Sequence, residues 1–135
     1  VKDPTNGSTL AIYGSTKETV LQAGMTFIGA PELPLQIAFV NVLKDKTLKT
    51  HKHIDRDRII KHKTMEFLYI IGGRVEATIY DNFMGIVTTV NLRGGDYIFT
   101  IDGGHKYFVM EEATFIEIKS GPYIGDVADK VKYDL

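Results

Sequence analysis

Residues 65–80 read MEFLYIIGGRVEATIY, and this stretch decides the fold class. In its second half apolar residues alternate with polar ones, which is the period-two pattern of a β-strand: Val75, Ala77 and Ile79. In its first half both faces are apolar except at Glu66. Two glycines between the halves, Gly72 and Gly73, indicate a turn. The stretch therefore predicts two strands, the first of which is covered on both faces.

The same alternation recurs along most of the chain, in residues 35–40, 86–92, 97–101 and 115–118. Asp81-Asn82 and two Gly-Gly pairs, at 94–95 and 103–104, supply the turn signals between these runs. Helix is expected only in short pieces, at residues 126–133 and at 16–23, where a strand would also fit. Many short strands with regular turns predict an all-β sandwich or barrel. We interpret residues 1–135 as a single domain with a core barrel at about 35–120.

The composition excludes several classes of site and partner. The chain has no cysteine, so it has no disulfide, iron–sulfur cluster or thiolate zinc site. Its 16 basic and 17 acidic residues give a formal charge of -1, which favours neither nucleic acid nor anionic membranes as partners. With no long apolar run and no signal-like start, we expect a soluble, cytoplasmic protein.

Three histidines and one glutamate stand out as candidate metal ligands. His51 and His53 are two residues apart, so on a strand both side chains project from one face. His105 follows a glycine turn and begins an apolar strand. Glu66 lies in the apolar run, where a buried carboxylate needs a cation or several donors.

Other roles for these residues remain open. Glu66 could instead lie at a strand edge in solvent, or pair with Arg74. His62 could replace Glu66 as a ligand, although a solvated loop histidine is the simpler interpretation. His105 could be a surface histidine beside a turn.

The spacing of these residues resembles the two motifs of the cupin family. His51, His53, Glu66 and Gly73 resemble the first motif, with residues 67–72 between the glutamate and the glycine. Gly95, Gly103 and His105 resemble the second. The resemblance implies a double-stranded β-helix, the jelly-roll barrel, with a minor short helix. It also implies one divalent transition metal (Zn, Fe, Mn, Ni or Cu) bound by His51, His53, His105 and Glu66.

The segment between His53 and Glu66 is basic. Arg56 and Arg58, with neighbouring lysines, could bind an anionic substrate if this segment folds over the barrel mouth; a solvated charged hairpin is the alternative. Tyr107 and Tyr97 are candidate acid or orienting groups, although either could simply belong to the core.

The resemblance is to cupins of polysaccharide and nucleotide-sugar biosynthesis, which suggests a context but not a reaction. We expect a metal-dependent enzyme, such as an isomerase, lyase or dioxygenase, acting on a small sugar-like or acidic molecule. The alternatives are a non-catalytic cupin that binds a carbohydrate or effector and a structural cupin that binds nothing. Because both faces of residues 65–71 are apolar and need a partner sheet or subunit, a homodimer is also expected.

Overall fold

The computed structural model describes residues 1–19, 23–41, 44–45, 52 and 62–120. Within them the fold is all-β, as the alternating pattern predicts. The strands are β1 (Ala11–Ser15), β2 (Gly24–Ile28), β3 (Ile37–Asn41), β4 (Glu66–Tyr80), β5 (Ile86–Arg93), β6 (Asp96–Thr100) and β7 (Gly104–Lys119), with one short helix, α1 (Thr16–Thr19), after β1. None of the helices in these ranges has the length and apolar character required to span a membrane.

Five strands form one curled antiparallel sheet around β4. The first half of β4 pairs with β6 on one side, the second half pairs with β5, and β7 pairs along both halves. Strand β1 extends the sheet beyond β6, and β2 and β3 form a separate two-stranded sheet. The sheet curls because β4 bends where its register with β7 shifts, between Ile70 and Val75.

The predicted turn at Gly72-Gly73 is therefore wrong, because β4 continues through both glycines as one strand. Gly73 has a φ of +82°, and a Cβ built on it would lie 2.1 Å from the carbonyl oxygen of Glu112. Only glycine fits this combination of backbone angle and close approach, and it bends the strand without ending it. The neighbouring strand β7 likewise joins the two runs that the sequence indicates around residues 106–110 and 115–118.

The core lies on both sides of the first half of β4. One cluster fills the concave side of the curled sheet and includes Leu68, Ile70, Val75 and Ile79, each at most 1% exposed. The other lies between Phe67 and Phe99 on the convex side and Ile28 and Ile37 of the small sheet. Both faces of residues 65–70 are thus covered within the chain, mainly by β2 and β3 on the convex side. Ile71, the last residue of the stretch 65–71 on which the homodimer prediction was based, is 55% exposed. The homodimer stays a prediction.

Candidate functional site

Glu66 and His105 come together on the concave side of the curled sheet. Glu66 begins β4 on the same face as Leu68 and Ile70, and it is only 8% exposed. Its Oε1 lies 3.4 Å from Nε2 of His105 near the start of β7. His105 is paired in register with Ile79, at the other end of β4. The bend in β4 is therefore what brings the two ends of this strand close enough for Glu66 and His105 to meet.

The structure argues against both alternative roles of Glu66, a solvent-exposed position at a strand edge and an ion pair with Arg74. A carboxylate with 11% side-chain exposure does not lie in a solvent-facing stripe. Arg74, the alternative ion-pair partner, lies 3.6 Å from Glu111 instead. Burial of a charged carboxylate is unfavourable unless cations or donors compensate it, and the His105 imidazole is in position to contribute.

Tyr107 lies beside this pair, two residues after His105 on the same face of β7. Its ring centroid is 4.9 Å from that of His105. Its hydroxyl is buried and makes no hydrogen bond of acceptable geometry within the described residues. Burial, followed by the nearby negative charge of Glu66, raises the pKa of Tyr107 far above its ordinary value. The side chain is therefore a neutral phenol at physiological pH.

Three further polar residues surround the pair, and sequence reasoning did not single them out. Thr100 pairs in register with Glu66 and donates from Oγ1 to the Glu66 carbonyl oxygen at 3.1 Å. Lys119 pairs in register with Glu66 from the other side, and its Nζ lies 3.1 Å from Glu117 Oε1. No local motif marks these residues, because only the pairing of β6 and β7 with β4 places them here.

The remaining candidate residues lie elsewhere or outside the described residues. Four of them lie outside the described residues: His51, His53, Arg56 and Arg58. Their roles as metal ligands or anion-binding groups therefore stay predictions. His62 is exposed, and its Nδ1 lies 2.9 Å from the carbonyl oxygen of Lys63, as expected for a loop histidine. The described residues contain no cluster of three potential metal ligands, so His62 does not complete a site with Glu66 and His105 there.

An open groove of about 450 Å³ is lined by neither Glu66 nor His105. Its lining combines apolar residues that include Ile12, Leu33 and Met65 with the polar residues His62, Lys63 and Asp102. Ile12 pairs in register with Phe99, a residue of the convex-side core cluster. The groove thus belongs to the convex side. We place the candidate site at the concave Glu66–His105 pair because a buried carboxylate meets an imidazole there.

The chain matches no protein-family model, and neither curated proteins nor solved structures gave a match.

Proposed function

We propose that this protein is a metal-binding cupin whose ion is bound by His105, Glu66, His51 and His53. The observation that carries the proposal is the contact of the buried Glu66 carboxylate with the His105 imidazole on the concave side of a curled β-sheet. These two groups are the mixed nitrogen and oxygen donors that suit Zn, Fe, Mn, Ni or Cu. His51 and His53 enter the proposal from their spacing in the sequence.

We further propose an enzymatic role on a small oxygen-rich substrate, either sugar-like or acidic. When bound, the metal would supply a Lewis acid that polarises a substrate oxygen or activates water. Tyr107 would donate a hydrogen bond from its buried hydroxyl to a substrate oxygen, and its neutral state at physiological pH suits this role. Arg56 and Arg58 would bind an acidic group of the substrate.

The second candidate function is non-catalytic binding of a carbohydrate or effector. One observation favours it: Glu117, the other carboxylate that acts on Tyr107, is engaged in an ion pair with Lys119 at 3.1 Å, so no second acid–base group stands out beside Tyr107 among the described residues. Incubation of the metal-loaded protein with sugars and sugar acids, followed by mass spectrometry, separates the two functions. Conversion of any compound supports the enzyme, whereas saturable binding without conversion supports the binding protein.

Metal analysis of the purified protein and three variants tests the site itself. We expect about one ion per chain in the wild type. His105→Ala should lose affinity by more than the roughly 10–100-fold that removal of a ligand's outer hydrogen-bond partner causes. Glu66→Gln should lose less, because its amide oxygen still faces the ion. His62→Ala is the matched control and should bind as the wild type does.

Equal metal content in His105→Ala and the wild type would place the ion elsewhere. Absence of metal from the wild type after loading with each of the five candidate ions would refute the metal-binding function as a whole.

A further inference from the structure

Lys63 and Asp102 form an ion pair at the entrances to the two strands that carry Glu66 and His105. Lys63 lies three residues before Glu66, and Asp102 lies three residues before His105. Lys63 Nζ donates to Asp102 Oδ1, which joins the segment before β4 to the turn before β7. The ion pair therefore joins the same two chain segments as the contact between Glu66 and His105, three residues earlier in each segment.

The turn that contains Asp102 is held from several directions. Asp102 Oδ1 also accepts from the backbone N–H of Gly103 at 2.7 Å. Lys63 Nζ donates to Oδ1 of Asn82 at 3.1 Å, and the Asn82 amide lies 3.5 Å from Asp102 Oδ2. The carbonyl oxygen of Leu10 accepts from the N–H of Asp102 at 3.2 Å. Lys63 thus connects the turn to both the start of β4 and the β4–β5 turn.

The backbone of this turn leaves it little freedom to adjust. Gly103 has a φ of +71°, and a Cβ on it would lie 2.2 Å from the carbonyl oxygen of Tyr80. Partial burial tends to raise the pKa of Asp102, but hydrogen bonds from Lys63, Gly103 and Asn82 outweigh it and lower the pKa below its ordinary value. Asp102 is therefore an anion at neutral pH.

We propose that Lys63 and Asp102 are positioning residues that hold the His105 imidazole against Glu66, a role that rests on the proposed function of that pair as metal ligands. The Lys63 side chain is 63% exposed and that of Asp102 21%, so solvent screening of the lysine limits what this ion pair contributes to global stability. Its effect should appear in the geometry of the site, because groups that orient metal ligands control affinity without contacting the ion.

The first test compares metal affinity, cobalt absorption and urea unfolding in four variants. Asp102→Asn and Lys63→Met remove one charge each and should lower Co²⁺ affinity by about 10-fold, the lower end of what loss of a ligand's own hydrogen-bond partner causes, because they act through the backbone. The d–d absorption of bound Co²⁺ should also change, because it reports ligand geometry. Lys63→Arg retains a cationic donor and should keep the affinity within about threefold. Arg74→Met, which removes the exposed pair with Glu111, is the matched control and should leave affinity and spectrum unchanged.

Unfolding separates positioning from folding. The urea midpoints of Asp102→Asn and Lys63→Met should stay close to that of Arg74→Met, since each ion pair has an exposed cation, Lys63 or Arg74, that solvent screens. Wild-type affinity and an unchanged cobalt spectrum in both variants would overturn the proposal. So would a loss of affinity that only mirrors a loss of folded protein.

A second test uses metal-free protein, so that it does not depend on metal binding. Glu66→Gln should shift the His105 imidazole proton resonances, because the carboxylate lies 3.4 Å away in the wild type. This shift should shrink when Asp102→Asn is already present and persist in the Arg74→Met background. An undiminished shift in Asp102→Asn would overturn the positioning role. A diminished shift in a protein that binds no metal would support positioning and refute the metal-binding function.

Discussion

Replacement of Gly73 by alanine tests whether the bend in β4 builds the concave site. In the native structure Gly73 has a φ of +82°, and a Cβ there would lie 2.1 Å from the carbonyl oxygen of Glu112 and 2.5 Å from the Cα of Ala113. Both neighbours are backbone atoms of β7, so no flexible side chain can move aside. The adjacent Gly72 provides a matched control, because a Cβ on it would meet no atom within 4 Å.

The expected loss of stability has two parts. A left-handed backbone angle at a residue with a Cβ costs roughly 1–2 kcal/mol. Overpacking against a fixed neighbour typically adds about 1–3 kcal/mol. Gly73→Ala should therefore lower the free energy of unfolding by about 2–5 kcal/mol. Gly72→Ala should be neutral or slightly stabilising, by up to about 1 kcal/mol, because alanine loses less backbone entropy than glycine in a strand.

Urea unfolding, followed by circular dichroism or tyrosine fluorescence, measures both variants against the wild type. With an m-value of about 1–3 kcal/mol per molar, a change of 2–5 kcal/mol shifts the midpoint by at least several tenths of a molar. Equal midpoints for Gly72→Ala and Gly73→Ala would refute the reasoning, because the two substitutions add the same atoms one residue apart. A smaller loss of stability with a changed m-value would indicate instead that the bend relaxes.

Two further predictions concern the core and the N-terminal loop. Leu68→Ala should destabilise the protein by about 2–5 kcal/mol, because Leu68 is 1% exposed in the concave core. Ile71→Ala should change the stability by no more than about 0.5 kcal/mol, because Ile71 is 55% exposed. Equal urea midpoints for the two variants would contradict the assigned core. Hydrogen bonds from the side chain and backbone of Thr5 lower the pKa of Asp3 from its usual 3.8, so its stabilisation is complete above pH 3.8 and is lost as the pH falls through the lower, folded-state value. Wild-type stability should consequently converge on that of Asp3→Asn below pH 3.8, and parallel stability curves from pH 7 to pH 2 would show that this carboxylate is not linked to folding.

The sequence correctly predicted which residues form strands and which side chains of β4 are buried. The alternation of Val75, Ala77 and Ile79 indicated their burial, and each is at most 1% exposed. The apolar run around Leu68 indicated coverage on both faces, which the convex-side cluster confirms. These predictions succeeded because the hydrophobic effect buries the apolar face of a strand, and a period-two pattern in the sequence shows which side chains lie on that face.

The continuity of the long strands could not be predicted in the same way. A glycine pair is the normal signal for a turn, and nothing local distinguishes a turn from a bend at Gly73. The difference arises from β7, whose backbone at Glu112 and Ala113 occupies the space that a side chain would need. A contact between residues so far apart in sequence leaves no trace in the local pattern, so the sequence suggested two short strands where one bent strand exists.

The candidate site combines both situations. The burial of Glu66 followed from its apolar neighbours, but its contact with His105 depends on a bend that the sequence did not reveal. The same bend brings Lys63 and Asp102 together. The sequence alone would place Lys63 in a basic loop and Asp102 in a glycine turn, with no connection between them. If the curl of β4 is the common cause, then Gly73→Ala should separate Glu66 from His105 as well as destabilise the fold. The effect of Glu66→Gln on the His105 resonances should accordingly be lost in the folded fraction of Gly73→Ala and retained in Gly72→Ala.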